Sequence, residues 1–209
     1  MTKEISNNKS RSVGSFPLGK LDGASSVVII DYGAGNIKSI QFAFKRLGID
    51  AVLSNNIDEI KAADKVIFPG VGEASSAMKM LQESGLDKVI PTLTQPVLGI
   101  CLGMQLMCNS SEEGNTKGLG IFDVAIKKFS KEVKVPQMGW NVISDLKSDL
   151  FTGIKDREFM YLVHSFYAEM CDEAICNTDY EIEYASALQK DIFMEFVSSQ
   201  EFSKAGDKF

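Results

Sequence analysis

The stretch Pro96-Val-Leu-Gly-Ile-Cys101-Leu-Gly-Met-Gln105-Leu-Met107 constrains this chain more than any other. An apolar run reaches Gly99, a cysteine follows two residues later, Gly103 closes the pattern Gly-Ile-Cys-Leu-Gly, and helix-forming residues come next. That order gives the strand, sharp turn and helix that lift a nucleophile out of an α/β sheet, with small residues on both sides to let the backbone turn. At a helix N-terminus the backbone dipole favours thiolate over thiol. Cys101 therefore has two readings: an activated nucleophile, or a buried structural cysteine near a strand end.

The residues before the elbow repeat a strand-helix alternation. Val27-Val-Ile-Ile-Asp31 is a β-branched run feeding the glycine loop Tyr-Gly-Ala-Gly-Asn36. Ile37, Ile40, Phe44 and Leu47 form one stripe of a helix over residues 37–47. Gly33 and Gly35 read as a tight strand-to-helix turn; a dinucleotide fingerprint would need a third glycine. Residues 51–54 form a second strand and 58–63 a short helix. Lys65-Val-Ile-Phe68 then runs into Pro69-Gly70-Val71-Gly72, either a plain turn or a loop whose N–H groups can donate to an oxyanion. Helices over 74–83 and 86–93 lead to the elbow strand. This periodicity predicts a mostly parallel sheet with helices on both faces. Ligands of such sheets gather beyond the carboxyl ends of the strands, where Cys101, the 69–72 loop and Asn36 all fall.

After Met107 the character changes. A polar, glycine-rich loop spans residues 110–120. Strand-like runs follow at 121–129, 140–143, 159–163, 174–177, 185–188 and 193–197, which predict antiparallel additions to the sheet. Trp140, the single tryptophan, is either core or an interface anchor. His164, the single histidine, is either a base for Cys101 or a hydrogen-bonded residue at a strand end.

Bulk properties exclude several classes. A length of 209 residues suits one domain. A net charge of -6 without a Lys/Arg block argues against a nucleic-acid binder, and no apolar run reaches membrane-spanning length. The four cysteines show no Cys-x-x-Cys, and one histidine is too few for a familiar zinc set, so no metal or cofactor is expected. Residues 1–26 are polar and lack a secretory signal; they read as a disordered tail or leader ahead of a domain over 27–209, in a reducing, cytoplasmic setting.

Several segments together resemble one family. Pro69-Gly-Val-Gly72, Gly99-Ile-Cys-Leu-Gly-Met-Gln-Leu106, Ser111-Glu-Glu-Gly114, Met138-Gly-Trp-Asn141 and Val163-His-Ser-Phe-Tyr167 resemble, in order and spacing, the class I (triad-type) glutamine amidotransferases. Within that family the pattern is most similar to the glutaminase subunits of imidazole glycerol phosphate synthases, and Asp31-Tyr-Gly-Ala-Gly-Asn36 belongs to it. The resemblance implies a flavodoxin-like three-layer α/β sandwich. It implies Cys101 as nucleophile, and an oxyanion hole from the N–H groups of Gly70, Val71, Gly72 and Leu102. Gln105, Glu113, His164, Ser165 and Phe166 would bind glutamine. Asn36, Met138 and Trp140 would face a partner, a cyclase subunit with a (β/α)8 barrel, in a heterodimer. Ammonia released from glutamine would pass to that subunit, which makes imidazole glycerol phosphate and AICAR in histidine biosynthesis. Similar paralogues supply ammonia for amidation of surface-polysaccharide sugars, a second implied role.

The chain also departs from the family. The family's base is a histidine in Phe-His-Pro-Glu; here Glu201 takes the orienting position and Ser199 the histidine's, so the resemblance also allows a paralogue with impaired hydrolysis. Gln137 stands where relatives commonly have histidine. Asp207 and Lys208 read as the start of a last helix that Phe209 cuts short. Val197-Ser-Ser199 can be encoded GTT TCA TCC, whose shifted frame reads Phe-His-Pro. We state two compensating frame slips as a hypothesis; an unbroken in-frame gene sequence would sink it.

Overall fold

The computed structural model describes residues 25–196. Strand β1 (Val27–Ile30) leads to helix α1 (Ile37–Arg46), β2 (Ala51–Ser54), α2 (Ile57–Ala62), β3 (Lys65–Gly70), α3 (Ala74–Ser84) and α4 (Leu86–Val89). Then come β4 (Val97–Cys101), α5 (Leu102–Met107), β5 (Cys108–Ser111), β6 (Thr116–Lys117) and β7 (Phe122–Lys128). The remaining strands are β8 (Gln137–Val142), β9 (Phe159–His164), β10 (Phe166–Ala168), β11 (Ala174–Asp179), β12 (Glu183–Lys190) and β13 (Phe193–Phe196).

The helices end where local chemistry stops them. In α1, Ile40 and Phe44 are buried and Lys45 and Arg46 sit in the last turn, where positive charge suits the dipole. Leu47, read as part of the stripe, caps the helix and is exposed. Asn56 caps α2 by accepting from the N–H groups of Asp58 and Glu59. Gly85, at φ 73, terminates α3. The helix expected over 86–93 stops at Val89 and tightens into a 3₁₀ turn over Ile90–Thr92 that contains Pro91.

The main sheet runs β2-β1-β3-β4-β13-β12-β10-β7-β5-β6, with β11 paired to β12. Strands β2, β1, β3, β4 and β13 are mutually parallel. Beyond β13 the pairing is antiparallel except between β5 and β7. With the strand order β2-β1-β3-β4, the right-handed crossover rule assigns α1 to one face of the sheet and α2 and α3 to the other. The strand order reverses at β1, so the loops after β1 and β3 open the crevice where such sheets bind ligands. A separate two-stranded sheet pairs β8 with β9. The core holds fully buried Ile29, Ile67, Phe68, Met104, Phe122 and Tyr184. Among the described residues no helix is long and apolar enough to cross a membrane.

Candidate active site

Cys101 ends β4, and α5 starts at the next residue. Its backbone, φ 56 and ψ −113, lies where L-residues are rarely found; such strain persists only when the surroundings enforce it. Two glycines enforce it here. A Cβ on Gly103 would collide with the Phe68 carbonyl, and one on Gly70 would lie 2.5 Å from the Gly103 nitrogen. Helix α5 therefore lies backbone to backbone on β3, and every residue from Leu102 to Met107 is buried. Leu102 opens α5, so its N–H has no acceptor within the helix.

Gly70 pairs with Cys101 across β3 and β4, strands about 4.8 Å apart. The 70–72 loop thus starts beside the cysteine, and Gly72, at φ 98, turns it towards α3. Glu73 caps α3, taking hydrogen bonds from the Ser75 hydroxyl at 2.7 Å and the Ser76 N–H at 3.0 Å. The Ser75 and Ser76 donors hold its carboxyl at about 2. Glu113 arrives from the other side: its carboxylate accepts the Ala74 N–H at 2.9 Å, and its own N–H donates to the Ser111 hydroxyl at 3.1 Å. Burial raises its pKa above the ordinary carboxylate value against the pull of Ala74 N–H, and the Glu73 charge adds to the rise. Gln105, on α5, is 6 % exposed, and its Oε1 is buried with no hydrogen-bond partner.

His164 is 5 % exposed. Its Nδ1 is 2.7 Å from the Phe166 carbonyl oxygen and its Nε2 is 3.0 Å from the Tyr184 hydroxyl. A carbonyl only accepts, so Nδ1 carries the proton and Nε2 accepts from Tyr184. That uses Tyr184's one proton. The Gln137 amide, whose oxygen as placed lies 3.1 Å from the Tyr184 hydroxyl, must then turn by half a revolution. The turn gives its otherwise unpartnered Nε2 an acceptor. Burial pushes the imidazole down to about 4, against the Phe166 carbonyl, which raises it. With both nitrogens engaged, the ring has no nitrogen left to take a proton from a thiol. His164 ends β9, and the strand that follows it, β10, is separated from β4 by β12 and β13. Ser165 and Phe166, half-buried, follow at the turn into β10, and the Ser165 carbonyl accepts from Phe129 N–H at 3.2 Å.

Met138 and Trp140 alternate along β8 and are 57 % and 55 % exposed. Opposite them on β9 the register brings Val163 and Tyr161. Trp140 and Tyr161 make an edge contact with centroids 5.6 Å apart, and exposed Phe159 extends the face. Asn36 is exposed at the start of α1. Ser199 and Glu201 lie outside the described residues. The strand before them, β13, pairs in parallel with β4, and Phe196 sits beside Ile100.

Sequence reading missed two participants, Tyr32 and Tyr184, and the role of a third, Gln137. Tyr32 is buried beneath the loop and donates to the Pro69 carbonyl at 2.9 Å. Tyr184 and Gln137 complete the His164 chain. Each is a polar group on a buried strand or loop, and only three-dimensional pairing reveals it. Among the described residues no cluster of three or more His, Cys, Asp or Glu could hold a metal ion.

A strained cysteine elbow beside a glycine loop on a mostly parallel sheet defines a class, and the family comparison agrees. The model of the class-I glutamine amidotransferase family matches residues 28–202, and the chain belongs to that family. Its relatives narrow the likeness further. It is 56 % identical over 170 residues to "Imidazole glycerol phosphate synthase subunit HisH" of Bacteroides fragilis (strain YCH46), covering 80 % of this chain and 87 % of that one. The protein of the same name from Bacteroides thetaiotaomicron is 52 % identical with the same coverage. A glutamine amidotransferase crystal structure from Thermotoga maritima superposes with a TM-score of 0.58 at 16 % identity, over 85 % of this chain and 76 % of that one. That likeness concerns the fold alone.

Proposed function

We propose that this chain is the glutaminase subunit of an imidazole glycerol phosphate synthase, releasing ammonia from glutamine for use by a second subunit. The observation that carries this reading is the pairing of Gly70 with Cys101, which sets a strained elbow cysteine beside a loop of backbone donors. The Cys101 thiolate adds to the carboxamide carbon of glutamine, and the carbonyl electrons move onto oxygen. The N–H groups of residues 70–72 and Leu102 stabilise that oxyanion. The oxyanion collapses, the C–N bond breaks, and the nitrogen takes from solvent water the proton that the thiol released there and leaves as ammonia. Water then hydrolyses the γ-glutamyl thioester, giving glutamate and the free thiol. Gln105 and Glu113 hold the polar end of the substrate: Gln105 has an unengaged buried acceptor, and Glu113 a second carboxylate oxygen beyond the one bound to Ala74. His164 shapes the pocket wall through the Ser165–Phe166 turn.

Glu201 orients the group at position 199. A serine hydroxyl neither accepts nor releases a proton near neutral pH, so thiol activation and leaving-group protonation are slow. The family match, which runs through residue 202, supports this assignment of roles. The ammonia acceptor docks on Met138, Trp140 and Asn36, and a (β/α)8 barrel subunit suits that role. The names of the relatives favour imidazole glycerol phosphate over sugar amidation. The test uses amide-labelled [¹⁵N]glutamine and the purified chain with its cyclase subunit. Labelled ammonia is expected, and Cys101→Ala abolishes it; release that survives Cys101→Ala contradicts the reading.

A further inference from the structure

The end of β3 poses a bonding problem that β1 does not solve. The last pairing of β1 with β3 is Ile29 with Ile67, and β1 stops at Ile30, whereas β3 runs on to Gly70. Backbone polar groups alternate sides along a strand. Val66 N–H donates to Pro96 on the β4 side at 2.9 Å, so Phe68 and Gly70 also face β4, and Ile67 and Pro69 face β1. Proline suits position 69, because it has no N–H that would need an acceptor there. Its carbonyl still needs a donor. Tyr32 supplies it from the loop after β1, with its hydroxyl 2.9 Å from the Pro69 oxygen.

The phenol is fixed in place. Tyr32 is buried, and its ring meets Phe68 with centroids 5.6 Å apart. Gly35 in the same loop lies so close to Pro69 that a Cβ would stand 3.1 Å from the proline Cβ. Burial first, and then the nearby Cys101 charge, raise the phenol pKa above its ordinary value, so the group stays a donor through the working pH range. A trans peptide points its C=O and N–H in opposite directions. Holding the Pro69 oxygen towards β1 holds the Gly70 N–H in the ladder towards β4, and so fixes Gly70 beside Cys101, its pairing partner.

We propose that Tyr32 is a positioning residue for the glutaminase reaction: its hydroxyl replaces the ladder donor missing beyond β1 and fixes the strand end from which the 70–72 loop reaches Cys101. The inference rests on the glutaminase reading above. The test compares two reagents on the full chain and on Tyr32→Phe, reading modification of the Cys101 peptide by mass spectrometry. Iodoacetamide needs only a thiolate. The diazoketone 6-diazo-5-oxo-L-norleucine mimics glutamine, and its ketone must enter the oxyanion site. Tyr32→Phe is expected to slow the diazoketone roughly tenfold, less than outright loss of an oxyanion donor, and to leave iodoacetamide within about twofold. Replacing Tyr32 by 3-fluorotyrosine keeps the donor, and both rates are expected to stay near wild type. An unchanged diazoketone rate in Tyr32→Phe, equal losses with both reagents, or a tenfold loss with 3-fluorotyrosine overturns the proposal. A wild-type chain that iodoacetamide labels and the diazoketone does not overturns the glutaminase reading itself.

Discussion

At Cys101 the fold holds one residue in a conformation that few side chains tolerate, and the cost falls on its glycine neighbours. Gly103 has no room for a side chain against the Phe68 carbonyl. Gly103→Ala is therefore expected to destabilise the protein by about 1–3 kcal/mol, the usual range for overpacking, measured by urea unfolding. Glu113 makes a separable contribution. Glu113→Gln keeps an oxygen to accept from Ala74 and loses the charge. In Cys101-dependent glutamate release its KM for glutamine is expected to rise about 10-fold or more, since a hydrogen bond to a charged group contributes about 1.5–3 kcal/mol. An unchanged KM would remove Glu113 from the substrate's polar end. The elbow itself was legible, because Gly-Ile-Cys-Leu-Gly after an apolar run leaves the backbone little choice. Tyr32 was not, because a phenol in a glycine loop signals nothing until β1 ends short of β3.

At the scale of elements, the β8–β9 sheet is joined to the main sheet through the chain of Gln137, Tyr184 and His164. The unfolded imidazole takes up a proton near 6.5, and the folded one near about 4. The folded state therefore binds fewer protons between those values. The stabilisation is fully present above pH 6.5 and is lost as pH falls through 4, amounting to on the order of 3 kcal/mol. Thermal midpoints between pH 7 and pH 4 are expected to fall more in the wild type than in His164→Asn. Equal falls would show that His164 does not titrate this way. Tyr184→Phe leaves the His164 Nε2 buried without a donor and is expected to cost about 1–3 kcal/mol in the same assay. The early strand-helix units were legible because apolar runs and helical stripes alternate. Strands β5 and β6 were not: Cys108-Asn-Ser-Ser111 and Thr116-Lys117 are polar or short, and they form strands only because β7 offers an edge. The parallel return of β13 beside β4 is likewise set by topology, not by local pattern.

For the whole molecule, the proposed glutamine site lies at the carboxyl edge of the sheet, and an apolar outer face lies on β8 and β9. Trp140 and Tyr161 are aromatic neighbours on that face, and such residues often carry binding energy. Trp140→Ala is expected to weaken the complex with the cyclase subunit about 30-fold or more, read by titration calorimetry. Unaltered affinity would move the docking face elsewhere. The central claim is that Cys101 performs amide hydrolysis and that position 199 limits its rate. Glutamate release by Ser199→His, alone and combined with Cys101→Ala, with the cyclase subunit present, tests it most directly. Ser199→His is expected to raise release about 10²–10⁴-fold, the usual contribution of a general base, and Cys101→Ala to abolish it. No rise with Ser199→His, or a rise that survives Cys101→Ala, would contradict it.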